Sequence, residues 1–187
     1  MTADNPFALS LKEAASFILN GNIIAYPTET VYGLGCNALD NQACQRLQEL
    51  KKRSIQQSFI ILVANTKQAQ QLIHPKAHHQ LSEAAKTWPG PYTWVFQAQE
   101  HLPAALTLQG KIALRISAHP LAQRLCALTE TPIISTSANL KNQQPLGDAK
   151  TIYTTFSPHI SGIMRGEPGH AKPSRIIDAE TMQVLRD

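Results

Sequence analysis

The sequence predicts an α/β fold: a single domain over residues 1–187, with a twisted mixed β-sheet flanked by helices. Three observations predict it. First, the apolar runs Asn22-Ile23-Ile24-Ala25, Phe59-Ile60-Ile61-Leu62-Val63 and Pro132-Ile133-Ile134 have the length and β-branched character of strands. Second, segments with helical spacing alternate with strand candidates irregularly, and several strand candidates are consecutive, which favours a mixed over a purely parallel sheet. Third, two of the runs stop abruptly in hydroxyl-rich segments, Tyr26-Pro27-Thr28-Glu29-Thr30-Val31-Tyr32-Gly33-Leu34-Gly35 and Ser135-Thr136-Ser137-Ala138-Asn139. A buried strand ending in small polar residues delivers donors to a sheet edge, where open α/β sheets bind ligands.

The elements follow in order. Ser10 and Glu13 have capping-box spacing, Leu11, Ala14, Ala15 and Ile18 share a helical face, and Gly21 stops that helix. Strand 22–25 leads into the first hydroxyl loop. Asp40 caps a helix reaching about Lys52, with Cys44, Leu47 and Leu50 as its inner stripe. The run 59–63 is continuously apolar, so it is expected to be buried on both faces. Thr66–Ile73 and Lys76–Thr87 read as helices broken by Pro75, and Trp88-Pro89-Gly90-Pro91 introduces strand Tyr92–Gln97. Strand Lys111–Ile116, a helix from Pro120 to about Leu128, strand 132–134 and helix Asp148–Phe156 come next. Ile160–Met164 and Ser174–Ala179 read as late strands, separated by the loop Gly166-Glu167-Pro168-Gly169-His170.

Bulk properties narrow the function classes. Seventeen Lys and Arg against thirteen Asp and Glu leave a net charge of +4, compatible with a nucleotide pocket or an RNA surface and proof of neither. Cys36, Cys44 and Cys126 lack CxxC spacing, which argues against zinc or a disulfide framework and suits a reducing cytosol. No apolar stretch approaches the ~18 residues of a membrane span, and residues 1–6 lack the features of a signal peptide. A cytoplasmic location is expected, without a membrane partner.

The chain has no G-x-x-x-x-G-K-[ST] loop, no complete dinucleotide fingerprint and no G-x-S-x-G elbow. The seven histidines are scattered, and adjacent His78 and His79 diverge on a helix, so no metal site is expected. Each remaining motif has an ordinary structural reading. Thr and Gly are common in turns, Ser and Asn cap helices, and Lys51-Lys52-Arg53 complements a helix C-terminus. Together, two hydroxyl segments and a cation cluster point to a polyanionic small molecule, nucleotide first.

Taken in order, these segments resemble the YrdC-type threonylcarbamoyl-AMP synthase family, in its short form. The resemblance runs from the first hydroxyl segment through Leu50-Lys51-Lys52-Arg53, 59–63 and Trp88-Pro89-Gly90-Pro91-Tyr92-Thr93. It continues through Ala113-Leu114-Arg115-Ile116, His119-Pro120-Leu121 and the second hydroxyl segment to Pro173-Ser174-Arg175-Ile176-Ile177-Asp178. It implies a YrdC-like sheet with a basic concave face. The implied activity is synthesis of threonylcarbamoyl-AMP and pyrophosphate from ATP, bicarbonate and L-threonine. That product serves the threonylcarbamoyladenosine modification at position 37 of tRNAs reading ANN codons. By position, the resemblance implies nucleotide contacts at Lys51, Arg53, Gln57, Lys111 and Ser135. It implies threonine contacts at Thr30, Leu62, Arg115, Ser137 and Ser174. Mg²⁺ is expected with ATP, no organic cofactor is expected, and no protein nucleophile is needed. Downstream tRNA threonylcarbamoyl-transfer proteins are the implied partners, with RNA a further one on the basic face.

The chain departs from the family pattern after Arg53, where Ser54, Gln57 and Ser58 replace residues that often include Pro and a Lys, His or Asn. Gln57 donates a hydrogen bond but brings no charge. Lys111 stands where relatives often have Thr, and is a further cation for the phosphates. Two alternatives remain open on sequence. One is an RNA-binding module without catalysis, which leaves Arg115 unexplained. The other is a carbamoyltransferase of the hydrogenase-maturation type, which carries zinc-finger and acylphosphatase-like regions not seen here.

Overall fold

The computed structural model describes residues 7–52, 58–140 and 143–187. Its strands are β1 (Ala8–Leu9), β2 (Ile24–Pro27), β3 (Tyr32–Gly35), β4 (Ile60–Leu62), β5 (Tyr92–Gln97) and β6 (Thr107–Leu108). They continue as β7 (Lys111–Arg115), β8 (Ile133–Ser137), β9 (Ile163–Met164), β10 (Arg175–Asp178) and β11 (Val184–Arg186). The helices are α1 (Leu11–Leu19), α2 (Asn41–Leu50), α3 (Thr66–Leu72), α4 (Leu81–Ala85), α5 (Pro120–Thr129) and α6 (Ala149–Phe156).

The strands form one mixed sheet in the order β1-β9-β2-β3-β8-β4-β7-β5-β10-β11, with β6 paired to β7. Parallel pairs such as β4 with β7 and β5 with β10 alternate with antiparallel ones such as β2 with β3 and β4 with β8. Strand β8 is the seam: it pairs with β3 on one side and β4 on the other.

Alternation along the strands sorts side chains between two cores. Ala25, Tyr32, Leu34, Ile61, Leu114 and Ile134 point into the larger one, packed with Leu47 of α2, Leu72 of α3 and Ile152 of α6. Ile24, Tyr26, Leu62 and Ile133 point the other way, into a smaller cluster closed by Ile18 of α1 and Leu125 of α5. Only part of that second face is covered by α1 and α5. The rest carries Gly33, Ile60, Arg115, Ser135 and Ser137, which line an open cleft.

Several elements match the sequence reading. Ser10 Oγ accepts from the Glu13 N–H at 3.3 Å while Glu13 accepts from the Ser10 N–H at 2.7 Å, the reciprocal cap expected for α1. Gly21 then takes φ +73, a left-handed conformation that glycine adopts without steric cost. Asp40 caps α2 through the Gln42 and Ala43 N–H groups.

Both hydroxyl segments, by contrast, contain more strand than expected. Tyr32 to Gly35 forms β3, antiparallel to β2, so the first segment is a hairpin and not a loop leading to a helix. Its period-2 pattern is masked because Gly33 and Gly35 occupy the face that a side chain would otherwise mark. Strand β8 runs on through Ser137, so its hydroxyls lie within the sheet and not after it. Residues 76–87 split into a 3₁₀ turn, Pro75–Gln80, and the short α4. Strands β1, β6 and β11 are too short to have a readable period. No helix among the described residues is long and apolar enough to cross a membrane.

Candidate functional site

The uncovered part of the sheet face forms a cleft of about 310 Å³ lined by Thr30, Gly33, Ile60, Arg115, Ser135, Ser137, Ser174 and Arg186, among others. On β8 the alternation that buries Ile133 turns Ser135 and Ser137 toward this space. On β7 it turns Arg115 the same way, while Ile112 and Leu114 enter the larger core.

Arg115 is 8% exposed. Its Nε donates to the Gly90 carbonyl at 3.0 Å and its Nη2 to Glu29 Oε1 at 2.7 Å. Glu29 sits in the β2–β3 turn and accepts two further bonds, from the Ala118 N–H at 2.7 Å and the Ser117 hydroxyl at 2.9 Å. Burial pushes the Glu29 carboxyl up. The Arg115 charge and the hydrogen bonds outweigh burial and hold it below the ordinary carboxylate value, so it is ionised.

The turn itself is built by Thr28, whose Oγ1 donates to the Val31 carbonyl at 2.6 Å and accepts from the Thr30 N–H at 3.3 Å. Thr28 thus builds the turn, and both it and Thr30 line the cleft. Loop 165–174 is stitched across this turn. The Gly169 and Ala171 N–H groups donate to the Thr28 and Glu29 carbonyls at 2.8 and 3.0 Å. Tyr32 Oη donates to the Gly166 carbonyl at 2.6 Å, and Thr30 Oγ1 to the Lys172 carbonyl at 3.4 Å. Gly169 is required by close approach, since a Cβ there would lie 2.2 Å from the Glu29 carbonyl oxygen. The loop ends at Ser174, 2% exposed, whose hydroxyl shares a 2.8 Å hydrogen bond with Thr93.

Arg186 is a cleft residue that sequence reasoning missed. It lies on β11, a three-residue strand without readable periodicity, and only its register beside β10 brings it to Ser174. Among the described residues it forms no ion pair, whereas Arg115 is paired with Glu29. Burial and the Arg115 charge both lower the Arg186 pKa. Two guanidiniums line one small space, and a single carboxylate, Glu29, pairs with one of them, which leaves excess positive charge, an environment for an anion.

Five residues expected at the site therefore meet at one cleft: Thr30, Arg115, Ser135, Ser137 and Ser174. Three others lie elsewhere. Leu62 is 3% exposed and packs with Tyr26, Ile133 and Leu125, because α5 covers that end of β4. Ile60, two residues earlier on the same face, takes the place at the cleft wall. Lys111 is at the opposite end of β7 from Arg115, about 13 Å along the strand, and its Nζ pairs with Asp178 at 2.6 Å. Lys51 is 8% exposed and lies behind the cleft. Its Nζ donates to the Ser137 carbonyl at 2.7 Å, to Asn139 Oδ1 at 2.8 Å and also to the Asn139 carbonyl. Ser137 Oγ donates to the same Asn139 Oδ1 at 2.6 Å, so Lys51 secures the turn that carries Ser137. Arg53 and Gln57 lie outside the described residues. Among the described residues no group of three His, Cys, Asp or Glu side chains converges as a metal site.

Comparison with known proteins shows the family. The Sua5/YciO/YrdC family, described as "Telomere recombination", matches residues 16–187. The chain is 40% identical over 182 residues to a threonylcarbamoyl-AMP synthase of Coxiella burnetii, covering 96% of this chain and 98% of that one. Among solved structures, P. abyssi Sua5 complexed with L-threonine superposes with a TM-score of 0.85 at 34% identity, over 94% of this chain and 53% of that one. E. coli YciO superposes with a TM-score of 0.79 over 95% of this chain and 88% of that one, at 23% identity, a likeness of fold.

Proposed function

The chain belongs to the Sua5/YciO/YrdC family, and from that premise we propose that its cleft joins L-threonine, bicarbonate and ATP into threonylcarbamoyl-AMP and pyrophosphate. The enzyme is a threonylcarbamoyl-AMP synthase, a nucleotidyltransferase of tRNA modification. The observation that carries the reading onto this chain is the gathering of two guanidiniums, Arg115 and Arg186, with the hydroxyls of Thr30, Ser135, Ser137 and Ser174 around one small cleft.

The chemistry needs no protein nucleophile. The threonine amine adds to CO₂ derived from bicarbonate, its lost proton and the bicarbonate hydroxide leaving together as water, and a carbamate oxygen attacks the α-phosphorus of ATP as pyrophosphate leaves. What the protein supplies is alignment and charge. Arg115 receives the threonine carboxylate, and Thr30, Ser137 and Ser174 read its remaining polar groups. Ile60 replaces Leu62 as the apolar wall for the methyl group. Ser135 contacts the nucleotide, and Arg186 opposes its negative charge. Arg53 and Gln57 follow Lys51-Lys52 in sequence and keep their proposed nucleotide role, whereas Lys111 serves Asp178. The Mg²⁺ enters with ATP as part of the substrate.

We place the enzyme in the cytosol, which suits three cysteines that are all free and buried. The adenylate passes from it to tRNA threonylcarbamoyl-transfer proteins. Any RNA contact belongs to the basic concave face.

Pyrophosphate release from ATP tests the reading, measured without RNA and with threonine or bicarbonate omitted in turn, alongside mass-spectrometric detection of the adenylate. Both signals are expected only with all three substrates. Pyrophosphate release independent of threonine would overturn the reading, and RNA binding without any adenylate would favour the non-catalytic alternative.

A further inference from the structure

We propose that Glu29 positions Arg115 for the substrate carboxylate, by holding the guanidinium so that its Nη1 edge is the part left for the ligand. The proposal rests on the reading of the cleft as a threonine site and adds to it a residue that does not itself line the cleft.

The argument begins with donor counting. A guanidinium has five N–H groups in a rigid fork. On Arg115 the Nε–H is taken by the Gly90 carbonyl and one Nη2–H by Glu29. Among the described residues neither N–H of Nη1 has a partner, and one N–H of Nη2 is left. One Nη1–H with the remaining Nη2–H is the parallel pair a carboxylate engages bidentately.

Glu29 is held as firmly as the group it holds. Its two oxygens accept from three donors, Arg115, Ser117 and Ala118, and its side chain is 15% exposed. With its oxygens so engaged, Glu29 is poorly suited to take a proton from the substrate amine. Its main-chain carbonyl separately accepts from the Ala171 N–H, which ties the loop ending at Ser174. The backbone tie survives a side-chain substitution, so the carboxylate's role can be tested with the loop anchored. Without the carboxylate, the long Arg115 side chain is left with the Nε–H bond to Gly90 as a single tether, which opens as the side chain regains rotamer freedom that ligand binding must then remove.

The test is Glu29→Gln, which keeps the shape and removes the charge, read in two ways. The first is ¹⁵N NMR of the Arg115 Nε–H in the ligand-free protein, with its signal assigned by loss in Arg115→Lys. A slowly exchanging signal is expected in the natural protein, and fast exchange in Glu29→Gln. The second is titration with L-threonine alone and with ATP alone. Glu29→Gln should weaken threonine at least about tenfold, the scale of a charge-assisted hydrogen bond, and shift ATP by less than about twofold. In an Arg115→Lys background the same change should move threonine affinity less than about twofold, because coupled residues are not additive. An unchanged Nε–H signal, an equal loss for ATP and threonine, or the same threonine loss in both backgrounds would each overturn the positioning role. A natural protein with a protected Nε–H and no threonine binding would overturn the threonine reading itself, and this role with it.

Discussion

Arg186 grips Ser174 by its backbone: Nη2 donates to the Ser174 carbonyl at 2.6 Å and Nε to the same oxygen at 3.1 Å, while Nη2 also reaches the hydroxyl at 3.1 Å. One side chain thus fixes the end of the loop over the cleft and supplies the cleft's unpaired positive charge. Arg186→Met should weaken ATP binding by about 1.5–3 kcal/mol, the worth of hydrogen bonds to a charged group. Arg186→Lys should recover only part, since an ammonium lacks the fork. Calorimetric titration measures both, and an unchanged ATP affinity in Arg186→Met would remove the residue from the site.

Ile60 and Leu62 share a strand face but not a role. Ile60→Ala should narrow the preference for threonine over serine, which one methyl group in an apolar niche sets at roughly 1–3 kcal/mol, with little change in stability. Leu62→Ala should cost about 2–5 kcal/mol of folding stability by opening a core cavity, and leave that preference unaltered in the folded protein. Valine, lacking the hydroxyl, should be rejected more strongly than serine. Steady-state kinetics with the three amino acids and denaturant unfolding separate these outcomes.

Lys111 neutralises Asp178, whose side chain is 9% exposed. Lys111→Ala should lower Tm, because it strands that carboxylate without its cation, and leave ATP affinity within about twofold. A large loss of ATP affinity at unchanged Tm would return Lys111 to the phosphates.

Acid should act through Glu29 and Asp178. Burial raises both carboxyls, but cationic partners and hydrogen bonds leave them below their ordinary values of 4.5 and 3.8. A depressed folded pKa stabilises fully above the unfolded value and loses that contribution as pH falls through the folded one. Thermal unfolding between about pH 7 and 3 should therefore show Tm falling below about pH 4.5, and less steeply in Glu29→Gln and Asp178→Asn. Variants that track the natural protein at every pH would sink this account.

Gly169→Ala should free loop 165–174 from the turn at Thr28 and Glu29, since its methyl would collide with the Glu29 carbonyl. Hydrogen exchange should speed up at the Gly166–Ser174 amides, while β4, β7 and β8 keep their protection.

Much of this was legible in sequence, for identifiable reasons. Ser10 and Asp40 cap helices because side-chain oxygens beside an apolar-periodic segment act locally. Thr30, Arg115, Ser135, Ser137 and Ser174, ligand contacts that the resemblance implied, line one cleft. Local reasoning failed where alternation was hidden or register decided. Two glycines concealed β3, and Leu62 and Ile60 look equivalent until α5 is placed over one of them. The cations show the same limit. Lys111 and Lys51 are as basic as Arg186, but partners 67 and 88 residues away decide which charge remains free for a ligand.

Strand β8 has one more consequence. Among the described residues it is the strand that pairs with both β3 and β4, and Ser135 and Ser137 lie on it. A molecule seated in the cleft touches Thr30 and Gly33 from one side, Ile60 and Arg115 from the other. It acts as a rivet across the suture, adding to the Glu29–Arg115 ion pair that already crosses it. Occupancy then slows sub-global opening of the whole sheet and not merely fraying of nearby loops. Protection would spread to amides remote from any contact, and the rivet's grip would grow with the logarithm of ligand concentration.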